Sequence, residues 1–226
     1  MMVGLRLTTV TLVFLLSVGG LAAVDQNKLA ELIQRIKEEY PINNTMFSLA
    51  VSIKSEDPAN LELILKKSPQ KSVQKAISEG DVYKGKRLAV ATVKKPEHAE
   101  WRVLKDLNLK GDKGDLLVIY SYASSCPTTC TKKRSNYNII DKIKNEISKN
   151  KEIWSNYVFV FEKVFMPKDS EGIDEETLKK ALKDLATSGI PLANIFRCYK
   201  PLKDGFQCIS CSTRGEVTKQ CVDYKA

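Results

Sequence analysis

The sequence holds a single histidine, His98, with a glutamate two residues later at Glu100. Two cysteines, Cys126 and Cys130, follow behind a run of apolar residues. One imidazole and two thiolates are the donors of a zinc site that keeps its fourth position open for water, as catalytic rather than structural zinc does. A carboxylate beside such a site is placed to move that water's protons. The chemistry open to these residues is hydrolysis, with His98, Cys126 and Cys130 as ligands and Glu100 as the acid–base group. Taken singly each part has a plainer reading: a His-x-Glu step caps many helices, and two cysteines four apart in a secreted chain usually oxidise. Their combination in one chain points to a site.

The surrounding pattern supplies elements to position them. Arg87 to Val93 reads as a strand, and Pro96 to Leu107 as a helix with proline in its first turn, where a missing N–H costs nothing. His98 and Glu100 then fall near that helix's N-terminus. Asp115 to Tyr122 is the strongest buried strand and leads into the cysteines, and the helix that follows is defined by Tyr137, Ile139, Ile140, Ile143 and Ile147. Further strands are expected at Met46–Ile53, Tyr157–Phe165 and Ile195–Tyr199. Amphipathic helices are expected at 25–40 and Glu175–Ala186, with a short one near Ser72–Ser78 in an otherwise polar, Pro- and Gly-broken stretch. Phe159, Phe161 and Phe165 read as core. Strands alternating with helices predict an α/β fold, a mixed five-stranded sheet covered by helices on its faces.

Residues 1–23 have the form of a signal peptide: Arg6, an apolar run from Leu7 to Val18 too short for a membrane span, then small residues. Its removal leaves one domain over 24–200 and a tail over 201–226, secreted and without a membrane segment. Four of the six cysteines, Cys198, Cys208, Cys211 and Cys221, lie in or next to that tail and are expected to form two disulfides, with all three connectivities open. The middle pair is left for metal. Asn43 begins an Asn-Asn-Thr glycosylation sequon. The net charge of +9 favours polyanionic partners such as nucleic acid, though acidic glycans or membranes would serve as well. Lys132, Lys133 and Arg134, just past the cysteines, are near enough to the site to meet a phosphate.

His98-Ala99-Glu100, the 25 residues separating Glu100 from Cys126, and the lysine-rich turn and strand between them resemble the zinc-dependent nucleobase deaminase superfamily. Within it the chain is closest to the AID/APOBEC-like branch and its secreted members. Ser125 stands where that signature has proline, Pro127 follows, and three residues rather than two separate the cysteines. The resemblance implies a three-layer cytidine deaminase-like sandwich and zinc held by His98, Cys126 and Cys130. It makes Glu100 the proton carrier and leaves Ala99 and Ser124 as substrate-contact candidates. It implies conversion of cytosine to uracil in single-stranded DNA or RNA, or in nucleosides, with an innate-immune role. Two other readings stay open: a catalytically silent binding module on the same fold, and a basic glycan- or membrane-binding protein without zinc.

Overall fold

The computed structural model describes residues 24–42, 45–54, 57–168, 170–202 and 204–226. The expected signal peptide and the Asn43 sequon lie outside them.

All five expected strands form: β1 (Phe47–Ile53), β3 (Leu88–Thr92), β4 (Asp115–Ala123), β5 (Trp154–Lys163) and β6 (Ile195–Tyr199). Two more extend the sheet to seven, β2 (Tyr83–Lys84) at one edge and β7 (Gln207–Ser210) at the other, in the order β2-β3-β1-β4-β5-β6-β7. The β4–β5 and β5–β6 pairs are parallel and the others antiparallel, so the sheet is mixed. A separate ribbon pairs β8 (Ser212–Thr213) with β9 (Glu216–Val217).

Alternation along the strands builds two cores. Leu117 and Ile119 of β4, with Phe159 and Phe161 of β5, face one side. Leu116, Val118, Tyr120, Val158 and Val160 face the other. On the first side pack α4 (Ala99–Leu104), α5 (Ile139–Lys149) and α6 (Glu175–Ala186); on the second, α1 (Gln26–Glu39), α2 (Pro58–Lys66) and α3 (Gln70–Ser78). The result is the three-layer sandwich, with strands buried on both faces reading as continuous apolar runs.

Helix α1 forms because Leu29, Leu32, Ile33 and Ile36 share one face and Asp25 accepts from the N–H groups of Asn27 and Lys28. Helix α2 was not foreseen, because Pro58 reads as a break. It stands instead in the first helical turn, behind the capping carboxylate of Asp57, which accepts from Ala59 N–H at 2.9 Å.

The four tail cysteines pair as expected, and the connectivity is now fixed: Cys198–Cys208 and Cys211–Cys221. The first bridge joins residues directly opposite each other on β6 and β7. The tail is built into the fold, since β7 extends the main sheet and Cys211, Cys221 and Val222 belong to the first core. Buried Arg197 gathers its end, donating to the carbonyls of Asp223 at 2.7 Å and Ala226 at 3.0 Å.

Candidate active site

The chain reverses just before the site. Lys94 N–H donates to Glu97 O at 3.1 Å and Glu97 N–H to Lys94 O at 2.9 Å, around a cis Lys95–Pro96 peptide. Residues 94–97 are spent on this turn, so the helix expected from Pro96 to Leu107 is confined to Ala99–Leu104. His98 becomes its N-cap residue and Glu100 lies in its first turn. Arg102 fixes the helix to the sheet by donating to Thr92 O at 2.7 Å and Gly80 O at 2.6 Å. Ala99, Val103 and Leu104 are buried beneath it.

The cysteines arrive from the end of β4. Cys126 O accepts from the N–H groups of Cys130 at 2.9 Å and Thr131 at 3.2 Å, closing a single helical turn. The helix expected after the cysteines, α5, begins at Ile139, whose N–H donates to Cys130 O at 2.9 Å. The three-residue gap between the cysteines is therefore one turn, and residues four apart on a turn share a side.

The structure brings together His98, Glu100 and Cys130, whose ligand atoms all lie within 4.8 Å of one another, a cluster that could hold a metal ion. Cys130 Sγ is 3.2 Å from His98 Nδ1. Cys126 is buried alongside, but its sulfur lies 3.2 Å from the Thr128 hydroxyl and falls outside the cluster. Both thiols are free of disulfides.

Burial governs the electrostatics. Glu100 is 2 % exposed, and its Oε2 has no hydrogen-bond partner among the described residues. Burial pushes its pKa up to about 7, with its own backbone amide and the nearby Ser121 hydroxyl opposing. Burial also lowers the pKa of His98, favouring the neutral imidazole that binds metals. The Cys130 thiol is pushed well above its usual value, first by burial and then by the Glu100 carboxylate. A pocket whose burial disfavours the charged forms of Glu100, His98 and Cys130, and leaves a carboxylate oxygen unpaired, is one that a cation would satisfy.

Ala99 is fully buried, so its methyl group is not available to a substrate. Ser124 is buried too, and its hydroxyl accepts from Phe165 N–H at 2.9 Å. Phe159 and Phe161 are core as expected, but Phe165 is half-buried with its ring centre 6.4 Å from that of His98. Its carbonyl accepts from the Tyr224 hydroxyl at 2.9 Å, so the tail reaches the site's wall. Nothing in the sequence marks Phe165 beyond its position at the end of an apolar run. Ser121, a polar residue inside the most apolar strand, did carry a readable signal. Beside the cysteine turn a cavity of about 410 Å³ is lined by Lys132, Lys133 and Lys180, with Asp184 pairing Lys180 at 2.5 Å.

No curated protein matches the chain. The family described as Secreted Novel AID/APOBEC-like Deaminase 1 matches residues 26–225, nearly the whole described sequence. That span takes in the His98–Glu100 turn, the cysteine turn and the disulfide-bonded tail together, and the chain belongs to that family of AID/APOBEC-like deaminases.

Proposed function

We propose that the protein is a secreted, zinc-dependent hydrolytic deaminase that converts cytosine to uracil in single-stranded nucleic acid or in nucleosides. The observation that carries this reading is the buried, unpartnered Glu100 carboxylate within 4.8 Å of the His98 and Cys130 donors. The donor set fits zinc: one imidazole and two thiols, with His98, Cys126 and Cys130 as the residues that would hold it. When bound, zinc supplies a Lewis acid that lowers the pKa of water towards about 7.

Glu100 does the proton work. Its carboxylate takes the proton of the attacking water and delivers it to ring nitrogen N3 of cytosine. A second proton passes to the departing amine, so water and cytosine become uracil and ammonia. A pKa near 7 suits a group that must both accept and release protons at neutral pH. Half-buried Phe165 beside His98 gives the pocket an aromatic wall. Lys132 and Lys133, on the neighbouring cavity, favour a substrate that carries phosphates.

Outside the cell such a substrate would be microbial or viral nucleic acid, which is the basis for an innate-immune role. Secretion itself rests on the form of residues 1–23, the two disulfides and the family's description as secreted.

A second reading, a silent binding module on the same fold, is favoured by one observation: the Cys126 thiol is taken up by Thr128 outside the donor cluster. The experiment that separates them incubates purified protein with cytidine, adenosine and a single-stranded oligonucleotide, beside Glu100→Ala. The expected result is turnover of a cytosine substrate by the wild type and a loss of roughly 10²–10⁴-fold in the variant, with zinc content unchanged. Bound zinc without turnover of any of these substrates would overturn the enzymatic reading in favour of the binding module, and a fully active Glu100→Ala would overturn the proton-carrying role of Glu100.

A further inference from the structure

The sheet has a second populated end. Thr92, Ser121 and Phe161 lie at the end that carries the candidate active site, while Arg87, Leu116 and Ile53 lie at the other. There the last turn of α2 and the segments that precede β3 and β4 enclose a cavity of about 620 Å³. Small-molecule sites run to roughly 300–1,000 Å³.

Cations dominate its rim. Lys67 caps α2, Lys86 and Arg87 precede β3, and Lys110 precedes β4. These segments are held by backbone hydrogen bonds: Lys110 N–H donates to Lys86 O at 2.7 Å and Ser52 N–H to Arg87 O at 2.9 Å. Arg87 is already neutralised, pairing with Asp112 at 2.5 Å and buried Asp115 at 2.6 Å. Lys67, Lys86 and Lys110 form no ion pair among the described residues, whereas Lys37, Lys84 and Lys105 each do.

Between them the lining is Leu63 and Ile64, with Asn60 and Ser68. Ile64 is buried, and Leu63 is 56 % exposed, one of four large hydrophobic side chains left in water among the described residues. A leucine in water beside three uncompensated ammonium groups is a surface with two demands, and one kind of ligand meets both.

We propose that this cavity binds an amphiphilic organic anion. A phosphate or carboxylate head meets Lys67, Lys86 and Lys110, and an aliphatic part covers Leu63 beside buried Ile64. Lysines act as point charges rather than bidentate forks, so either head group is accepted. A sulfated sugar would use the lysines and leave Leu63 in water. A single-stranded nucleic acid would call for aromatic rings to stack on, and the lining has none. The site does not depend on the deaminase reading, because it shares no residue with the candidate active site.

Isothermal titration calorimetry at low ionic strength tests this on the secreted protein, with octyl phosphate, inorganic phosphate and a heparin oligosaccharide as probes. Octyl phosphate is expected to bind with a dissociation constant of roughly 0.1–1 mM. Inorganic phosphate is expected to bind at least about tenfold more weakly, since burying two or so methylenes is worth that factor. The variant Lys67→Ser/Lys86→Ser/Lys110→Ser should lose at least about tenfold. Leu63→Ser should weaken octyl phosphate several-fold and leave inorganic phosphate unchanged. All four side chains are exposed, so these variants keep the fold, which circular dichroism checks. Absence of octyl phosphate binding, indifference to the triple variant, or heparin binding that ignores Leu63→Ser would each overturn the proposal. So would co-sedimentation with phosphatidylserine vesicles when monomeric octyl phosphate does not bind, which would make the face a membrane contact.

Discussion

The six cysteines divide into two regions that treat the same side chain in opposite ways. Cys126 and Cys130 sit four apart on one turn, free, with Cys130 against an imidazole and a carboxylate. Cys198, Cys208, Cys211 and Cys221 form two bridges, each closing a ten-residue separation. Partners explain the contrast better than exposure does, since all six are buried. Cys198 and Cys208 face each other across paired strands, so each thiol's nearest chemistry is the other. Cys126 and Cys130 are each drawn to a different neighbour, Thr128 for one and His98 for the other. One region uses sulfur to hold the chain to itself; the other keeps it available to a metal.

Substitution at the site should give the largest effect. Cys130→Ser is expected to take zinc from about one per chain to near none and to abolish turnover, read by elemental analysis. Full zinc content in this variant would break the contrast. Chelation comes next. A strong chelator should lower the melting temperature of the wild type and leave Cys130→Ser unchanged, because only a metal bound to the folded state contributes stability.

Tail changes should be smaller and of another kind. Cys211→Ala/Cys221→Ala is expected to cost about 2–3 kcal/mol, the loop-closure entropy of a ten-residue bridge, and to lower the melting temperature by roughly 4–12 °C. Zinc should be retained. Peptide mapping without reduction should return Cys198–Cys208 and Cys211–Cys221, and a bridge from either pair to Cys126 or Cys130 would erase the partition. The smallest effect sharpens the contrast within the turn. Thr128→Val removes the neighbour of the Cys126 sulfur and should cost no more than about 1 kcal/mol, with metal-free Cys126 alkylated faster.

Much of this was legible in the sequence for identifiable reasons. The five main strands are apolar runs buried on both faces, and such runs specify themselves. His98, Glu100 and Cys130 were legible because few residue types can bind a metal or carry a proton, and the chain has one histidine to offer. Helix α2 was lost because Pro58 reads identically as a stop and as a first turn, and only the Asp57 cap distinguishes them. Strand β7 was lost because a four-residue segment with one buried and three half-buried side chains becomes a strand only when the edge of β6 is there to pair with. The direction of the Cys126 thiol and the approach of Phe165 to His98 depend on side-chain rotation and on contacts from the tail. Neither leaves a trace in residue spacing.

Helix α1 packs against β7, with the Lys37 ammonium 5.1 Å from the centre of the Phe206 ring and paired with Glu162 at 2.6 Å. The order of synthesis makes this contact a late one. As the chain emerges, the first described helix has part of its apolar face without a partner until residues 207–210 have followed, some 170 residues later. The same strand carries Cys208, so sealing the helix and closing the Cys198–Cys208 bridge depend on one stretch of chain. A newly made molecule stopped short of that stretch would expose a greasy helix to chaperones and have no bridge to hold it, while already containing every residue of the candidate site.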